Sequence, residues 1–285
     1  MIDLHMHTKY SDGTDDCIEL LQKAEQKGLT HISITDHNTV DAYKNLENIN
    51  IKEYYRGNII NGIELSTKAL NIPIEILGYN IDYKVMSELL KTVYISPEER
   101  NKIELSRLVK KCEAVGIKLD SDYIKNYDAK DFTSKYIHKA ITQNEENRGK
   151  IDDEAWLDSK VFYRKYMSNP NTAFYVEMDD LVPDLNQAIS LIKKSGGLVF
   201  LPHIFEYRDN ALSILNYILD NYEVDGIECY YTTFTEDQHQ YLLDLCKEKN
   251  LYISGGSDYH GRNKINVDMG TGYGNLKVPE NIIKW

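Results

Sequence analysis

The feature that most constrains the fold of this chain is a series of short predicted strands that end at histidines or acidic residues. These strands are separated mostly by helical patterns, which is typical of a parallel α/β barrel. They are predicted at 2–5, 31–34, 59–63, 74–77, 198–201, 226–229 and 252–254. Functional sites of β/α barrels are built at the carboxyl ends of the strands. Five of the eight histidines and two acidic residues fall at such ends: His5, His7, His37, Glu64, His203, Asp258 and His260.

The first dozen residues predict part of a metal site. Residues i and i+2 of a strand point to the same side, so His5 and His7 can present two imidazoles to one ion. Asp12 follows in the turn sequence Ser-Asp-Gly, from which a carboxylate can return to the same point. A His-x-His pair alone also occurs by chance. The metal interpretation therefore depends on the ordered series along the whole chain.

Length and composition indicate an α/β protein of one large domain or two small ones. The 285 residues are 42% hydrophobic, which is enough for a substantial core. We expect one barrel domain over 1–285 with a mostly helical insertion at about 85–169. The four cysteines show no Cys-x-x-Cys spacing, which argues against a disulfide framework or a zinc ribbon. No apolar run reaches the length of a membrane span, and the polar N-terminus predicts no secretory signal. A reducing cytoplasm is the expected location.

The charge balance limits the partners. The chain has 45 acidic and 33 basic residues, a net charge of −12, which argues against binding duplex DNA. Metal ions would still allow an acidic protein to bind a phosphorylated molecule. The 22 tyrosines suggest compositional bias rather than a base-stacking platform. The sequence gives no indication of an oligomeric state.

An ordered set of motifs closely resembles the PHP (polymerase and histidinol phosphatase) family, in particular its stand-alone phosphoesterases that carry a helical insertion. The motifs are Asp-x-His-x-His-Thr at 3–8, Ser-Asp-Gly at 11–13, Thr-Asp-His at 35–37, Gly-x-Glu at 62–64, Pro-His at 202–203 and Gly-Ser-Asp-x-His at 256–260. The resemblance implies a distorted seven-stranded (β/α)7 TIM-like barrel with a trinuclear metal centre. It further implies that Asp36 and Asp3 orient ligands of that centre.

The resemblance also implies how three divalent ions would be shared. The first ion would take His5, His7, Glu64 and Asp258. The second would take Glu64 and His203, and the third would take Asp12, His37 and His260. Mixed imidazole and carboxylate ligands suit Mn²⁺, Fe²⁺ or Zn²⁺.

One ligand position departs from the family pattern. Relatives usually carry histidine in the fourth strand, where this chain has Glu75. We expect Glu75 to bind the second ion and to favour the harder Mn²⁺. The alternative is that Glu75 points outward from its strand.

The expected reaction is hydrolysis of a phosphomonoester, such as a nucleotide or nucleoside bisphosphate. A hydroxide bridging two ions, held by Glu64, Asp258 and His203, would be the nucleophile. Arg208 and Lys135 are candidate phosphate contacts, although relatives carry their basic residues at neighbouring positions. The alternatives are a histidinol-phosphate phosphatase, an exonuclease on short oligonucleotides, and a non-catalytic metal-stabilised binding module.

Overall fold

The computed structural model describes residues 1–285, except for the side chains of Pro97 and Asp179. The chain forms two compact units. We call residues 1–94 and 182–285 the barrel unit, and residues 95–181 the helical unit. The predicted arrangement, one barrel domain with an insertion at about 85–169, stays a prediction.

The barrel unit is built around one seven-stranded sheet in which the strands follow one another in chain order. The strands are β1 (Ile2–Asp3), β2 (His31–Ile34), β3 (Asn58–Ala69), β4 (Ile72–Tyr79), β5 (Leu198–Leu201), β6 (Gly226–Tyr231) and β7 (Tyr252–Gly256). The two edges meet where Leu4 N donates to Gly255 O at 3.1 Å. Glycine is required at 256, because a Cβ there would lie 2.4 Å from the His5 backbone nitrogen. The predicted TIM-like barrel is confirmed.

The expectation that all strands run parallel was wrong for β4. This strand is antiparallel to both β3 and β5. The two residues between β3 and β4, Leu70 and Asn71, have φ angles of 51° and 61°. Two successive residues with positive φ make the tight turn that joins antiparallel strands. The amino-terminal half of β4 therefore lies beside the carboxyl-terminal half of β3, and Glu75 pairs with Ser66.

Helices cover the barrel because their apolar faces match the buried strands. Helix α1 has a capping box, in which Asp16 accepts from Glu19 N and Glu19 accepts from Asp16 N, each at 3.0 Å. It buries Leu20, Leu21 and Ala24, and each fully buried leucine contributes about 1.5–3 kcal/mol. The helices of this unit are α1 (Cys17–Gln26), α2 (Asp41–Leu46), α3 (Tyr83–Val93), α9 (Leu185–Lys194), α10 (Ala211–Asn221) and α11 (Glu236–Lys249).

The helical unit has a hydrophobic core of its own, which includes Leu108, Cys112, Ile137 and Phe162. Its first helix is capped by Ser96, whose hydroxyl accepts from Glu99 N at 3.1 Å. The helices are α4 (Pro97–Ala114), α5 (Ser121–Lys125), α6 (Thr133–Thr142), α7 (Asp153–Leu157) and α8 (Ser159–Phe162).

None of the helices described in either unit is both long enough and apolar enough to cross a bilayer. All four cysteines are free and buried.

Candidate metal centre

The segment that follows β1 carries His5 and His7 into the centre of the barrel end. Asp258 N donates to His5 O, and His7 N donates to Tyr259 O, both at 2.8 Å. Asp3 strengthens this contact between the segments that follow β1 and β7, because its carboxylate accepts from Ser257 N at 2.9 Å and from Gly270 N at 2.7 Å. Burial raises the pKa of Asp3 to about 6. Asp3 thus positions the backbone on both sides of the ligand pair.

Two imidazoles and two carboxylates converge in a first group of ligands. The Nε2 atoms of His5 and His7 lie 3.1 and 3.2 Å from Glu64 Oε2. Asp258 Oδ1 lies 3.7 Å from His5 Nε2 and 3.3 Å from His7 Nε2. This is a donor set of the kind that binds a divalent transition metal.

A second group forms around the other oxygen of Glu64. Its Oε1 lies 2.8 Å from His203 Nε2, which is also 3.4 Å from Glu75 Oε2. Glu75 Oε1 lies 3.4 Å from His37 Nδ1. The two oxygens of Glu64 therefore face different histidines, and Glu75 does not point away from the cluster.

A third group contains Asp12 and the two outer histidines. Asp12 Oδ2 lies 3.1 Å from His260 Nε2 and 3.7 Å from His37 Nε2. Asp12 Oδ1 lies 3.5 Å from His7 Nδ1, and the rings of His7 and His260 stack with centroids 4.1 Å apart. The structure thus brings all nine predicted ligands together at one end of the barrel, and their roles as ligands stay a prediction.

The donor atoms fit a bound metal. Three combinations of these residues can each place their ligand atoms within 4.8 Å of one another. Within the described part of the chain, both ring nitrogens of His7 and Nδ1 of His37 are buried without a hydrogen-bond partner. An unsatisfied buried polar atom costs about 1–3 kcal/mol. Nitrogen atoms left in this state are suited to coordinate a cation.

The buried charges compensate one another strongly. Burial favours the neutral form of Glu64, but the charges of His5 and His37 and the hydrogen bond from His203 lower its pKa well below its ordinary value. Burial opposes protonation of His7, yet the neighbouring carboxylates of Asp258 and Glu64 raise its pKa to about 9. Protonation of His7 is therefore favoured in the absence of metal, and a metal ion bound there would displace that proton.

Backbone geometry at the site is unusual. His203 and Asp258 have φ angles of 30° and 58°, in the left-handed region that residues other than glycine rarely adopt. Such conformations cost about 1–3 kcal/mol each and cluster at functional sites. Asp36 fixes a nearby loop, because it accepts from Thr8 N at 2.7 Å and from Ser11 Oγ at 2.7 Å. That loop leads directly to Asp12.

Three residues that hold the ligands were not predicted as site residues. Glu228 on β6 lies 2.9 Å from His5 Nδ1 and accepts from His203 N at 2.8 Å. Tyr231 OH and Lys264 Nζ donate to Asp258 Oδ2 at 2.7 and 2.5 Å, which leaves Oδ1 directed at the histidines. An acidic residue inside an apolar strand was a signal for Glu228. Tyr231 and Lys264 carry no local signal.

The candidate phosphate contacts lie in different units. Arg208 follows His203 in a short 3-10 segment of the barrel unit and is exposed. Its backbone has φ 50° and ψ −122°, a conformation that normally requires glycine. Lys135 lies on α6 of the helical unit, with its ammonium 5.2 Å from the centre of the Phe132 ring.

A seven-stranded barrel that gathers five histidines and four carboxylates at one end defines a candidate polynuclear metalloprotein. The chain belongs to the PHP domain family, whose model matches residues 3–222. The resemblance found in the motifs is thereby confirmed.

Two proteins of similar sequence and one solved structure are compared with this chain. A 5'-3' exoribonuclease of Haemophilus influenzae is 29% identical over 262 residues, which cover 90% of this chain and 89% of that protein. A 3',5'-nucleoside bisphosphate phosphatase of Chromobacterium violaceum is 27% identical over 276 residues, which cover 94% and 90%. A Bifidobacterium adolescentis structure, proposed to be a metal-dependent phosphoesterase, matches with a TM-score of 0.66 and 20% identity over 99% of this chain and 93% of that chain. The structural match shows the same fold.

Proposed function

We propose that this protein is a metal-dependent hydrolase that cleaves a phosphoester bond of a nucleotide. The observation that carries the proposal is Glu64, whose two oxygens face separate groups of histidines in one buried cluster. A carboxylate placed in this way can link neighbouring metal ions. The two relatives named above support the substrate class, because both act on phosphate groups of nucleotides or RNA.

The proposed centre would hold three divalent ions. His5, His7, Glu64 and Asp258 would bind the first. Glu64, Glu75 and His203 would bind the second, and Asp12, His37 and His260 would bind the third. The three convergent groups of side chains support this division. When bound, such ions lower the pKa of coordinated water towards neutrality and offset the charge of a phosphoryl group.

The residues of the chain supply orientation and charge. Glu64, Asp258 and His203 orient the attacking water, and Tyr231 and Lys264 fix the carboxylate of Asp258. Glu75 adds a hard carboxylate where a histidine is expected, so Mn²⁺ is the favoured ion. No serine or cysteine nucleophile is required by this mechanism.

Arg208 is the proposed phosphate contact in the barrel unit. Holding an arginine in a glycine-like conformation is costly, and a planar guanidinium is well suited to grip phosphate. Replacement of Arg208 by alanine should raise KM about tenfold or more and change kcat less. Arg56→Ala, which removes an exposed guanidinium elsewhere in the unit, is the matched control. An unchanged KM would remove Arg208 from the site, and the same test applies to Lys135.

The function is tested by phosphate release from the Mn²⁺-loaded protein. The substrates are a 3',5'-nucleoside bisphosphate, a 5'-phosphorylated RNA of a few nucleotides, histidinol phosphate and an aryl phosphate. A Glu64→Gln variant purified in parallel controls for contaminating phosphatases. We expect the nucleoside bisphosphate or the short RNA to be the best substrate. Preference for histidinol phosphate would overturn the substrate class, and absence of turnover on all four would favour a binding role.

A further inference from the structure

The helical unit contains a hollow between α4 and α5 that is rich in lysine. Its cavity volume is about 530 Å³, and Lys102, Lys110 and Lys125 line it together with Tyr127. One acidic side chain, Glu113, lines the same hollow. The apolar floor comes from Leu105, Val109 and Ile124. This is a basic depression with an aromatic wall.

A second hollow of about 520 Å³ lies beside α6 and is also lined by lysines and aromatic residues. Lys135 and Lys139, one helical turn apart, line it together with Phe132 and Asp131. The Phe132 side chain is prominent, since 72% of the residue is exposed to solvent. A large aromatic ring that remains so exposed in a folded unit is available to stack on a planar ligand.

Three tyrosines that line the two hollows contact one another. Tyr123 stacks on Tyr136 with ring centroids 4.6 Å apart and an interplanar angle of 16°. Tyr127, which lines the first hollow, lies 4.7 Å from the Tyr136 ring of the second. We call the two hollows together the lysine–aromatic face, which consists of Lys102, Lys110, Lys125, Lys135, Lys139, Phe132 and these tyrosines.

The cations of this face are available to an external anion. Among the side chains that the structure describes, no carboxylate forms an ion pair with Lys102, Lys110, Lys135 or Lys139, and Lys125 makes a long contact of 3.4 Å to Asp122. Elsewhere in the unit, by contrast, Lys118 pairs with Glu146, and Lys165 pairs with Glu154.

The acidic character of the protein is concentrated outside the helical unit. Residues 95–181 contain 17 acidic and 15 basic residues, whereas the remainder contains 28 acidic and 18 basic residues. Long-range repulsion of a polyanion is therefore weakest at this unit. The net charge of −12 does not exclude an anionic partner here.

We propose that the lysine–aromatic face binds single-stranded RNA, with lysines contacting successive phosphates and a base stacking on Phe132. Basic grooves with exposed aromatic rings are the common means of binding single strands without sequence preference. Lysines four residues apart on a helix lie about 5–6 Å from each other, which suits consecutive phosphates of an extended strand. Phe132, the residue before α6, therefore offers a stacking ring, and Lys135 and Lys139 on α6 offer two phosphate contacts.

The test measures binding of a fluorescently labelled, phosphorothioate-linked hexaadenylate to the Mn²⁺-loaded full chain by anisotropy at several salt concentrations. The variant Lys110→Gln/Lys139→Gln removes one cation from each hollow and leaves Lys135 intact. We expect it to reduce the slope of log K against log salt by about 1.4. Phe132→Ala should weaken binding about tenfold at constant salt slope.

The matched control is Lys118→Gln/Lys165→Gln, which makes the same charge change at lysines already paired with carboxylates. An equal loss of RNA affinity in this control would show that the loss depends only on the overall charge of the protein, and this would overturn the proposal. Displacement of the RNA by an equal charge of polyglutamate would also overturn it and indicate an acidic protein partner. Thermal melting of every variant verifies that the fold is intact.

This inference can fail separately from the proposed hydrolysis. Phosphate release from a nucleoside bisphosphate should be the same in wild type and in Lys110→Gln/Lys139→Gln. If the wild type releases no phosphate from any substrate, the hydrolase proposal fails. The binding measurement still tests whether the lysine–aromatic face binds RNA. If the variant loses turnover of the small substrate, the face is not a separate RNA site and the inference is wrong.

Discussion

The barrel end and the lysine–aromatic face both gather charged side chains, but in opposite ways. At the barrel end, His5, His7 and Glu64 are almost completely buried, with donor atoms about 3 Å apart. On the helical unit, Lys110 and Lys139 are exposed and form no ion pair with a carboxylate within the described part of the chain. Folding itself brings the buried groups together, and a bound cation would satisfy the histidine nitrogens that have no hydrogen-bond partner. Exposed lysines need no partner, so their grouping permits a ligand without requiring one.

The largest expected effect follows from breaking the link between the buried groups. Glu64→Gln removes the only side chain that faces both the His5 and the His203 groups among the described ligands. Loss of metal charge at the reacting phosphate is worth several kcal/mol, so kcat should fall about 1,000-fold or more. Metal content should fall in the same variant. Glu88→Gln, an exposed glutamate on α3, should change neither quantity.

Removal of the metal should destabilise the barrel unit and leave the stability of the helical unit unchanged. Each ion present at about 100 times its Kd adds about 2.7 kcal/mol to the free energy of unfolding. We therefore expect a chelator to lower the Tm of the barrel unit by about 5–10 °C for each ion that it removes. Hydrogen exchange should accelerate around His5, His37 and Glu64 and stay unchanged in the core of the helical unit. Equal acceleration in both units would contradict a metal centre confined to the barrel end.

A smaller effect tests the residues that hold Asp258. Tyr231→Phe removes the hydroxyl that donates to Asp258 Oδ2 at 2.7 Å, while Lys264 continues to contact the same oxygen. Losing such a supporting hydrogen bond typically weakens metal affinity about 10-fold to 100-fold, and we expect the lower value here. Competition with a fluorescent chelator gives the affinity. Tyr241→Phe is the control, because that ring is on the surface.

The smallest expected effect is a difference of one in the number of protons released when the metal binds. Burial, and then the negative charge of Glu64, raise the pKa of Glu75 from 4.5 to about 7. In the metal-free protein this carboxyl is therefore mostly protonated at pH 6, and its contribution to metal-free stability increases as the pH falls below 7. Binding of Mn²⁺ must expel that proton.

Calorimetry in buffers of different ionisation enthalpy measures the protons released. At pH 6 the wild type should release about one proton more than Glu75→Gln, and at pH 8 the two should agree. Equal release at both pH values would show that Glu75 does not bind the ion. A Glu75→His variant extends the test, because it should shift metal preference away from Mn²⁺ towards Zn²⁺.

The sequence predicted the barrel and the grouping of the ligands because both follow from local periodicity. Strand ends carry His37 and His203, and parallel strands bring their carboxyl ends to one side. The reversed direction of β4 was missed, since it depends on two left-handed residues, Leu70 and Asn71, that no strand pattern reveals.

Contacts between distant parts of the chain were harder to predict. Tyr231 and Asp258 are 27 positions apart, and their hydrogen bond exists only after β6 and β7 have paired. The lysine–aromatic face is a further example, because exposed lysines on α4 and α6 are indistinguishable in sequence from ordinary solvated residues.

We infer that the buried cluster is a catalytic metal centre. The most direct measurement is metal content by mass spectrometry after reconstitution with Mn²⁺, combined with phosphate release before and after chelation. We expect about three ions per chain and phosphate release that disappears with the ions and returns when they are restored. Fewer than two ions per chain, or turnover that a chelator leaves unchanged, would contradict it.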